Sequence, residues 1–340
     1  MENNSGLKGK VIATVLLVAL FSAVTWFVAM KMICSDISVS AKKQYAAHAL
    51  EDGQVGFPAS MFLSDEEAQQ LLDDASVPEN MSDSVNDCDG DLEGIELKLV
   101  SGYTYSGKML IVKDPSRVKL STIYPWQSVG VELDELVKSA DAVAGINGGL
   151  YFQLHNSGGH PTGVAVCEGE IQYNIPGIRG LHLIGMDNDD RLRIIDLTGM
   201  KAADVEKLVK EEGIRDAITF PDEYRANSNW FVKILGDGKQ REVKDPLNCC
   251  INPRTVIGQR ADGAVLLLAV TGRGTSGHFG ATCLDVVRIM KDFGAVTAGN
   301  LDGGSSTCLY YNGRYEQPSA TFYYAKGSWR LPTAFVVSKK

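Results

Sequence analysis

Val296 to Thr307 reads VTAGNLDGGSST, and this stretch carries more information on fold and site than any other part of the chain. Its first five residues predict a short buried strand, which ends at Asn300. A carboxylate, two glycines and three hydroxyl side chains follow directly. Glycines after a strand allow the main chain to approach a ligand closely. An Asp-Gly-Gly segment is most often a simple turn, so the stretch alone does not define a site.

Two further strand ends have the same character. The predicted strand Ala142–Ile146 runs into Asn147-Gly148-Gly149, and Asn252-Pro253-Arg254 leads into the predicted strand Thr255–Gln259. An amide, a guanidinium and a carboxylate at three glycine-rich strand ends could hold a sugar or a phosphate group. We therefore expect these three segments to converge on one pocket.

The remaining pattern is rich in short strands. Apolar runs bounded by turn residues predict strands at Met109–Val112, Val118–Ile123, Gly163–Val166, Glu170–Gln172, Gly180–Met186, Leu192–Asp196, Ala264–Val270, Cys308–Tyr311 and Thr333–Val337. Helices are predicted at Leu133–Lys138, Ala202–Glu212 and Thr282–Phe293, the last with a capping box and a terminating glycine. We predict an α+β (mixed α/β) fold with a twisted β-sheet core and flanking helices, preceded by one N-terminal transmembrane helix.

The N-terminal helix is predicted from Val11 to Met30, 20 residues without a charge. At 1.5 Å per residue this run spans about 30 Å, the thickness of a hydrocarbon core. It exceeds the apolar region of a secretory signal, and no convincing cleavage site follows it, so we favour an uncleaved anchor over a cleaved signal. We expect a single-pass protein of the cell membrane, with its C-terminal domain extracytoplasmic.

Charge divides the rest of the chain. The net charge of −9 argues against a nucleic-acid partner. Residues 44–97 carry 14 Asp and Glu and no Lys or Arg, whereas residues 98–340 are nearly neutral. We predict a cytoplasmic tail at 1–10, the anchor at 11–30, a juxtamembrane stalk and acidic linker at 31–94, and one domain at 95–340.

Two cysteine and glycine patterns leave alternatives open. Outside the cytoplasm, the six cysteines beyond Cys34 could form up to three disulfides, or several of them could be buried free thiols. The motif Gly272-x-Gly274-x-x-Gly277 matches a dinucleotide fingerprint but comes late in the chain. A structural or phosphate-binding loop is favoured over NAD binding. No ligand cluster indicates a metal, although Asp302 with an asparagine could hold calcium, and we predict no cofactor.

Taken together, Asn147-Gly148-Gly149, Pro161-Thr162-Gly163, residues 253–258, Thr271-Gly272-Arg273 and residues 300–307 are specific. With Arg330-Leu331-Pro332-Thr333-Ala334, they make residues 98–337 resemble the phosphodiester glycosidase family. The resemblance implies a hydrolase that cleaves the glycosidic C1–O bond of sugar-1-phosphodiesters, here in a cell-wall or exopolysaccharide glycan.

Site roles follow from this resemblance and from the chemistry of the residues. We predict Asp302, Arg254 and Asn147 as catalytic, Asp302 being the nucleophile, the base for water or the stabiliser of an oxocarbenium-like state. Arg273 and Arg254 suit a phosphate group, since guanidinium binds phosphate bidentately. The other predicted substrate-binding residues are Gly148, Gly149, Thr255, Gly303, Gly304, Ser305, Ser306, Thr307 and His278.

Two other functions stay open. Thr271 and His278 stand where relatives commonly have Asp and Ser, which motivates a non-catalytic glycan-binding or polysaccharide-assembly protein with the same fold. A nucleotide-dependent oxidoreductase is the third hypothesis. Release of free sugar, saturable binding without release, or cofactor absorbance would distinguish the three.

Overall fold

The computed structural model describes residues 4–34, 42, 45–46, 50–51, 54–55, 59–67, 92–152, 157–222, 231–240, 251–273, 278–320 and 327–340. The chain divides into two compact units, Met1–Val77 and Pro78–Lys340. The helices are α1 (Asn4–Ile33), α2 (Leu133–Ser139), α3 (Ala202–Glu211) and α4 (Cys283–Asp292). All three helices predicted in the second unit are therefore confirmed within two residues at each end.

The strands are short, and every pair of neighbours is antiparallel. They are β1 (Leu50–Glu51), β2 (Gln54–Val55), β3 (Ile95–Ser101), β4 (Ser106–Val112), β5 (Val118–Thr122), β6 (Ala142–Asn147), β7 (Val164–Cys167), β8 (Glu170–Asn174), β9 (Leu181–Asp187), β10 (Leu192–Asp196), β11 (Ile214–Pro221), β12 (Lys233–Gly236), β13 (Lys239–Gln240), β14 (Arg254–Arg260), β15 (Val265–Val270), β16 (Ala295–Asn300), β17 (Leu309–Tyr311), β18 (Arg314–Gln317) and β19 (Thr333–Ser338). The predicted α+β class is confirmed, and β3, β11, β12 and β18 are strands that the sequence pattern did not reveal.

Three sheets build the second unit. Their strand orders are β10-β9-β11-β7-β8, β13-β12-β16-β14-β15-β4-β3 and β18-β17-β6-β19-β5. One apolar core takes side chains from all three sheets, including Ile218, Leu267 and Phe335. The inner faces of the sheets thus meet in a shared interior, and burial of this apolar surface is the main stabilising contribution.

Each sheet is covered on its outer face by one helix. In β15, Leu267 belongs to the shared core, whereas Leu266 and Leu268 pack with Val286 and Met290 of α4. This alternation is the two-residue period of a strand that is buried on both faces. Helix α2 packs in the same way against β6 and β19, and α3 against β11.

Local signals set the ends of α4. Thr282 Oγ1 accepts a hydrogen bond from the Asp285 N–H at 3.1 Å, and Asp285 Oδ2 accepts one from the Thr282 N–H at 2.8 Å. These reciprocal bonds form the predicted capping box. Gly294 follows the helix with a φ of +81°, which glycine adopts without steric cost.

In the first unit, α1 extends beyond the predicted run at both ends. It is long and apolar enough from Lys10 to Ile33 to span a membrane, a property that signal sequences share. The short helix predicted after Ser64 is described only as far as Glu67, whose N–H donates to Ser64 Oγ at 3.1 Å. Residues 68–91, which include seven of the 14 acidic residues of 44–97, lie outside the described residues.

Candidate functional site

The loop of residues 301–308 crosses from one sheet to another. Strand β16 ends at Asn300, which pairs with Val256 of β14, and β17 begins at Leu309, which pairs with Ile146 of β6. Because all of these pairs are antiparallel, the beginning of β14 and the end of β6 lie at the same place as the loop. The topology therefore brings together the three glycine-rich segments that the sequence singled out.

The Asn147 amide connects these segments. Asn147 is fully buried, and its Nδ2 donates to the Asp302 carbonyl oxygen at 2.7 Å. Its Oδ1 accepts from Thr255 Oγ1 at 2.7 Å and from the Cys308 N–H at 3.2 Å. Thr255 also contacts Thr307 Oγ1 at 3.2 Å. One amide side chain thus fixes the main chain on both sides of the predicted hydroxyl cluster.

Glycines allow the main chains to approach closely here. A Cβ on Gly148 would lie 2.3 Å from Thr333 Oγ1, and one on Gly149 would lie 2.3 Å from a carbonyl oxygen of β11. A Cβ on Gly303 would lie 2.7 Å from the Pro253 carbonyl oxygen. Larger residues at these positions would push the segments apart. In this structure these three glycines pack against protein.

A cation, Arg273, contacts the loop that carries Asp302. Asp302 is 8% exposed, and its negative charge stabilises the charged form of Arg273. Burial has the larger, opposing effect and lowers the pKa of Arg273. Arg273 Nη1 donates to Ser305 Oγ. Gly304 has a φ of +63°. Because glycine has no side chain, Arg273 Nη2 can lie at a point that would be 2.8 Å from a Cβ of residue 304.

Tyr151 closes the other side of the loop. It is 4% exposed, and its hydroxyl shares a hydrogen bond of 3.0 Å with Ser306 Oγ. Burial raises the pKa of Tyr151 well above its ordinary value, and the charge of Asp302 raises it further. Tyr151 is therefore a neutral phenol near the carboxylate. Nothing in the sequence pattern predicted its bond to Ser306.

Arg254 is placed differently from Arg273. Its side chain is buried, its Nε donates to the Ala281 carbonyl oxygen at 3.2 Å, and its guanidinium lies 4.9 Å from the centre of the Phe231 ring. Burial raises the pKa of the Asp285 carboxyl, and the positive charge of Arg254 partly opposes this effect. The main chain of this segment also contacts the loop, since the Gly304 N–H donates to the Pro253 carbonyl oxygen at 2.9 Å. A role for Arg254 at a phosphate group stays a prediction.

His278 begins the described segment that leads into α4. It follows residues 274–277 of the glycine motif, which lie outside the described residues, and its Nδ1 is buried without a hydrogen-bond partner among the residues described. Its neighbour Phe279 donates its N–H to the Thr104 carbonyl oxygen and accepts at its own carbonyl oxygen from the Arg273 N–H. The main chain next to His278 therefore supports Arg273, while a substrate contact by His278 stays a prediction.

The structure also answers part of the cysteine question. Cys34, Cys167, Cys283 and Cys308 are free thiols, and the other three cysteines lie outside the described residues. In the part of the chain that is described, no cluster of three or more His, Cys, Asp or Glu side chains could hold a metal ion. What the site offers is a nearly buried carboxylate, an adjacent guanidinium and several hydroxyl groups. This combination can bind an anionic group next to a carboxylate.

Comparisons with known proteins agree with this chemistry. The sequence profile of the phosphodiester glycosidase family matches residues 140–338. The catalytic domain of zebrafish N-acetylglucosamine-1-phosphodiester alpha-N-acetylglucosaminidase, auto-inhibited by its pro-peptide, superimposes with a TM-score of 0.54 at 19% identity, over 77% of this chain and 83% of that one.

One curated protein is similar in sequence. The SPbeta prophage-derived uncharacterized protein YomE of Bacillus subtilis (strain 168) is 27% identical over 164 residues, which are 47% of this chain. The match covers 23% of that protein, so the chain spans about a quarter of the relative's length. The family match contains Asn147, Arg254, Arg273 and Asp302, and it extends over more than half of the chain. This chain is a member of the phosphodiester glycosidase family.

Proposed function

We propose that this protein is a membrane-anchored extracytoplasmic hydrolase that cleaves the glycosidic C1–O bond of sugar-1-phosphodiesters in a cell-wall or exopolysaccharide glycan. The observation that carries the proposal is the 301–308 loop, in which the Asn147 amide holds the main chain of Asp302 and Arg273 donates to Ser305 Oγ. Family membership supports the reaction class, whereas the substrate and the location are proposals.

The leaving group explains why one carboxylate can suffice. Ordinary glycosidases use two carboxyl groups, one of which protonates the departing oxygen. A phosphate ester is already a good leaving group, because its second pKa is about 6. Cleavage therefore needs charge stabilisation on the phosphate more than it needs a general acid. Arg273 supplies that charge, since it stays protonated throughout the physiological pH range.

Asp302 acts at C1. Its carboxylate attacks C1, activates a water molecule or stabilises positive charge on the ring as the C1–O bond breaks. The electron pair of that bond leaves with the phosphate oxygen, and water supplies the new hydroxyl group at C1. Ser305, Ser306 and Thr307 offer hydroxyl groups for the phosphate or sugar oxygens.

The proposed location rests on α1. A helix of this length and composition suits a membrane anchor, which we place at residues 11–30. The tail at 1–10 then lies in the cytoplasm, and the stalk and acidic linker at 31–94 connect the anchor to the hydrolase domain at 95–340. Protease added outside intact cells would digest the linker in this orientation and would leave it intact in the opposite one.

The reaction is tested with full-length protein in detergent and a panel of methyl diesters of hexose-1-phosphates. In water enriched in oxygen-18, C1–O cleavage places the label on the free sugar, whereas P–O cleavage places it on the phosphate. We expect labelled sugar from at least one diester, detected by mass spectrometry.

Asp302→Asn tests the site itself. We expect at least a thousandfold loss of activity, because the neutral amide cannot act at C1. Asp262→Asn is the matched control, since Asp262 is an exposed carboxylate in the turn after β14, and it should keep full activity. Labelled phosphate, or an active Asp302→Asn protein, would refute the proposal. Saturable binding of a diester without release would favour the non-catalytic alternative.

A further inference from the structure

A cleft of about 600 Å³ lies outside the Asn147 network. It is lined by four aromatic rings and several polar side chains, among them Trp126, Phe152, His160, Tyr173, Gln127 and Ser157. Its volume falls in the range typical of small-molecule sites. Phe152 is half-exposed, whereas most large apolar side chains of the sheets are buried. A half-exposed ring beside such a cleft suggests a binding surface.

Three of the four aromatic rings are stacked, and the fourth stands perpendicular to the stack. Phe152 and His160 are stacked with centres 5.5 Å apart and planes 7° apart, and His160 and Tyr173 are stacked at 6.1 Å and 20°. Trp126 stands edge-on to Tyr173, at 89°. The three nearly parallel rings therefore form a stack, and Trp126 stands perpendicular to it at the Tyr173 end.

The main chain holds this arrangement rigidly before any ligand binds. The Trp126 indole N–H donates to the Gln172 carbonyl oxygen at 2.8 Å. The Gln127 N–H donates to the Gly159 carbonyl oxygen at 3.3 Å, and the Phe152 N–H to the His160 carbonyl oxygen at 3.2 Å. Little side-chain ordering is therefore left for the binding step, and this favours affinity.

Polar groups at the cleft have bonding capacity to spare. Ser157 Oγ is buried and has no hydrogen-bond partner among the described residues. His160 Nδ1 lies 3.2 Å from the Pro161 carbonyl oxygen, which can only accept, so Nδ1 carries a proton and Nε2 is left for a ligand. None of the described lining residues is an Asp, Glu, Lys or Arg. The chemistry is thus apolar faces with uncharged donors and acceptors.

We infer that this cleft binds a neutral pyranose unit of a glycan. A pyranose ring presents C–H groups on its faces, which pack on aromatic rings, and hydroxyl groups around its edge, which match amide, hydroxyl and imidazole groups. A lipid chain would leave the polar groups unpaired, and a charged ligand would find no opposite charge among the lining residues.

The cleft adjoins the candidate active site through one peptide bond. Tyr151 bridges to Pro161 in a strand-like pairing and bonds to Ser306, and Phe152 is the next residue. Successive side chains of extended chain point to opposite sides, so Tyr151 lies on the Asp302 side and Phe152 on the cleft side. The role of the cleft as a subsite of the candidate active site rests on the proposed function. It then means that the substrate is a polymer, with one sugar held in the cleft while another is cleaved.

The test uses the full-length Asp302→Asn protein in detergent and four neutral probes: maltohexaose, cellohexaose, chitohexaose and mannohexaose. Saturation-transfer NMR measures binding without relying on Trp126 as a reporter. We expect saturable binding of at least one probe. Phe152→Ala and Trp126→Ala should each raise its Kd at least tenfold, and Phe152→Tyr should restore binding. Phe279→Ala, which removes another half-exposed ring, should leave the Kd within twofold.

Failure of this inference is distinct from failure of the proposed function. If no probe binds, or if Phe279→Ala weakens binding as much as Phe152→Ala, the cleft is not a sugar site, whatever the hydrolytic activity. If Phe152→Ala abolishes binding while the methyl diesters are never hydrolysed, the cleft stands as a sugar site and the hydrolase proposal falls. Equal urea midpoints for wild type and Phe152→Ala will establish that the variant is folded.

Discussion

Replacing Asn147 by alanine should destabilise the domain far more than the loss of one ordinary hydrogen bond. The amide makes bonds of 2.7 Å to the Asp302 carbonyl oxygen, 2.7 Å to Thr255 Oγ1 and 3.2 Å to the Cys308 N–H. Thr255 keeps its contact with Thr307 in the variant, but two buried main-chain groups lose a partner. Each such group costs about 1–3 kcal/mol, so Asn147→Ala should cost about 2–6 kcal/mol.

The assay is urea unfolding of the full-length chain in detergent, followed by tryptophan fluorescence. Asn174→Ala is the matched control, since the half-buried Asn174 makes one bond, to the Ala202 carbonyl oxygen at 3.1 Å. That change should cost about 1 kcal/mol. The total stability of a domain is only about 5–15 kcal/mol, so the difference between the two variants should be plain. Equal midpoints for the two variants would refute the view that the Asn147 amide holds the loop in place.

Three further changes test other parts of the structure. Thr282→Ala removes the N-cap that accepts from Asp285 and should lower the free energy of unfolding by about 1 kcal/mol in urea titrations; an unchanged midpoint would contradict this. Burial raises the pKa of Asp216 in the folded state, so stability falls as pH rises above the unfolded value of about 3.9. Asp216→Asn should therefore gain stability relative to wild type between pH 4 and pH 7, and a constant difference in urea midpoint would count against this. Gly148→Ala should unfold at markedly lower urea than Gly177→Ala, because an added Cβ meets an oxygen at 2.3 Å in the first case and open space in the second.

Local signals made some elements predictable from sequence. Helix α4 follows from a capping box at Thr282 and a terminal glycine at Gly294, which act within a few residues of each other. Strand β11 was missed because all but one of its eight residues are buried and it therefore lacks an apolar–polar alternation. Asp216 and Thr219 place polar side chains within the strand, so its sequence resembles that of a loop although the strand is central in its sheet.

The candidate site was predictable in its residue types and less so in its geometry. Glycine-flanked strand ends indicated correctly that Asn147 and Asp302 meet, although 155 positions separate them. The direction of Arg254 could not be predicted, because it depends on Phe231 and Ala281, whose positions are set by tertiary packing. The sequence treated the two arginines as equivalent phosphate ligands. The structure distinguishes their surroundings, since Arg273 donates to Ser305 of the Asp302 loop and Arg254 donates to the Ala281 carbonyl oxygen beside the Phe231 ring.

The position of Asp302 depends on two sheets more than on its own loop. Asn147 ends a strand of one sheet, Thr255 belongs to a strand of another, and the 301–308 loop passes between them. Because the two sheets share a core, their spacing is set by close-packed apolar side chains that resist small displacements. A core substitution between the sheets, such as Ile146→Ala, should therefore lower activity beyond its effect on the folded fraction. A substitution that removes the same side-chain volume beneath α3, far from the loop, should lower the stability of the domain and should not lower activity beyond the loss of folded protein.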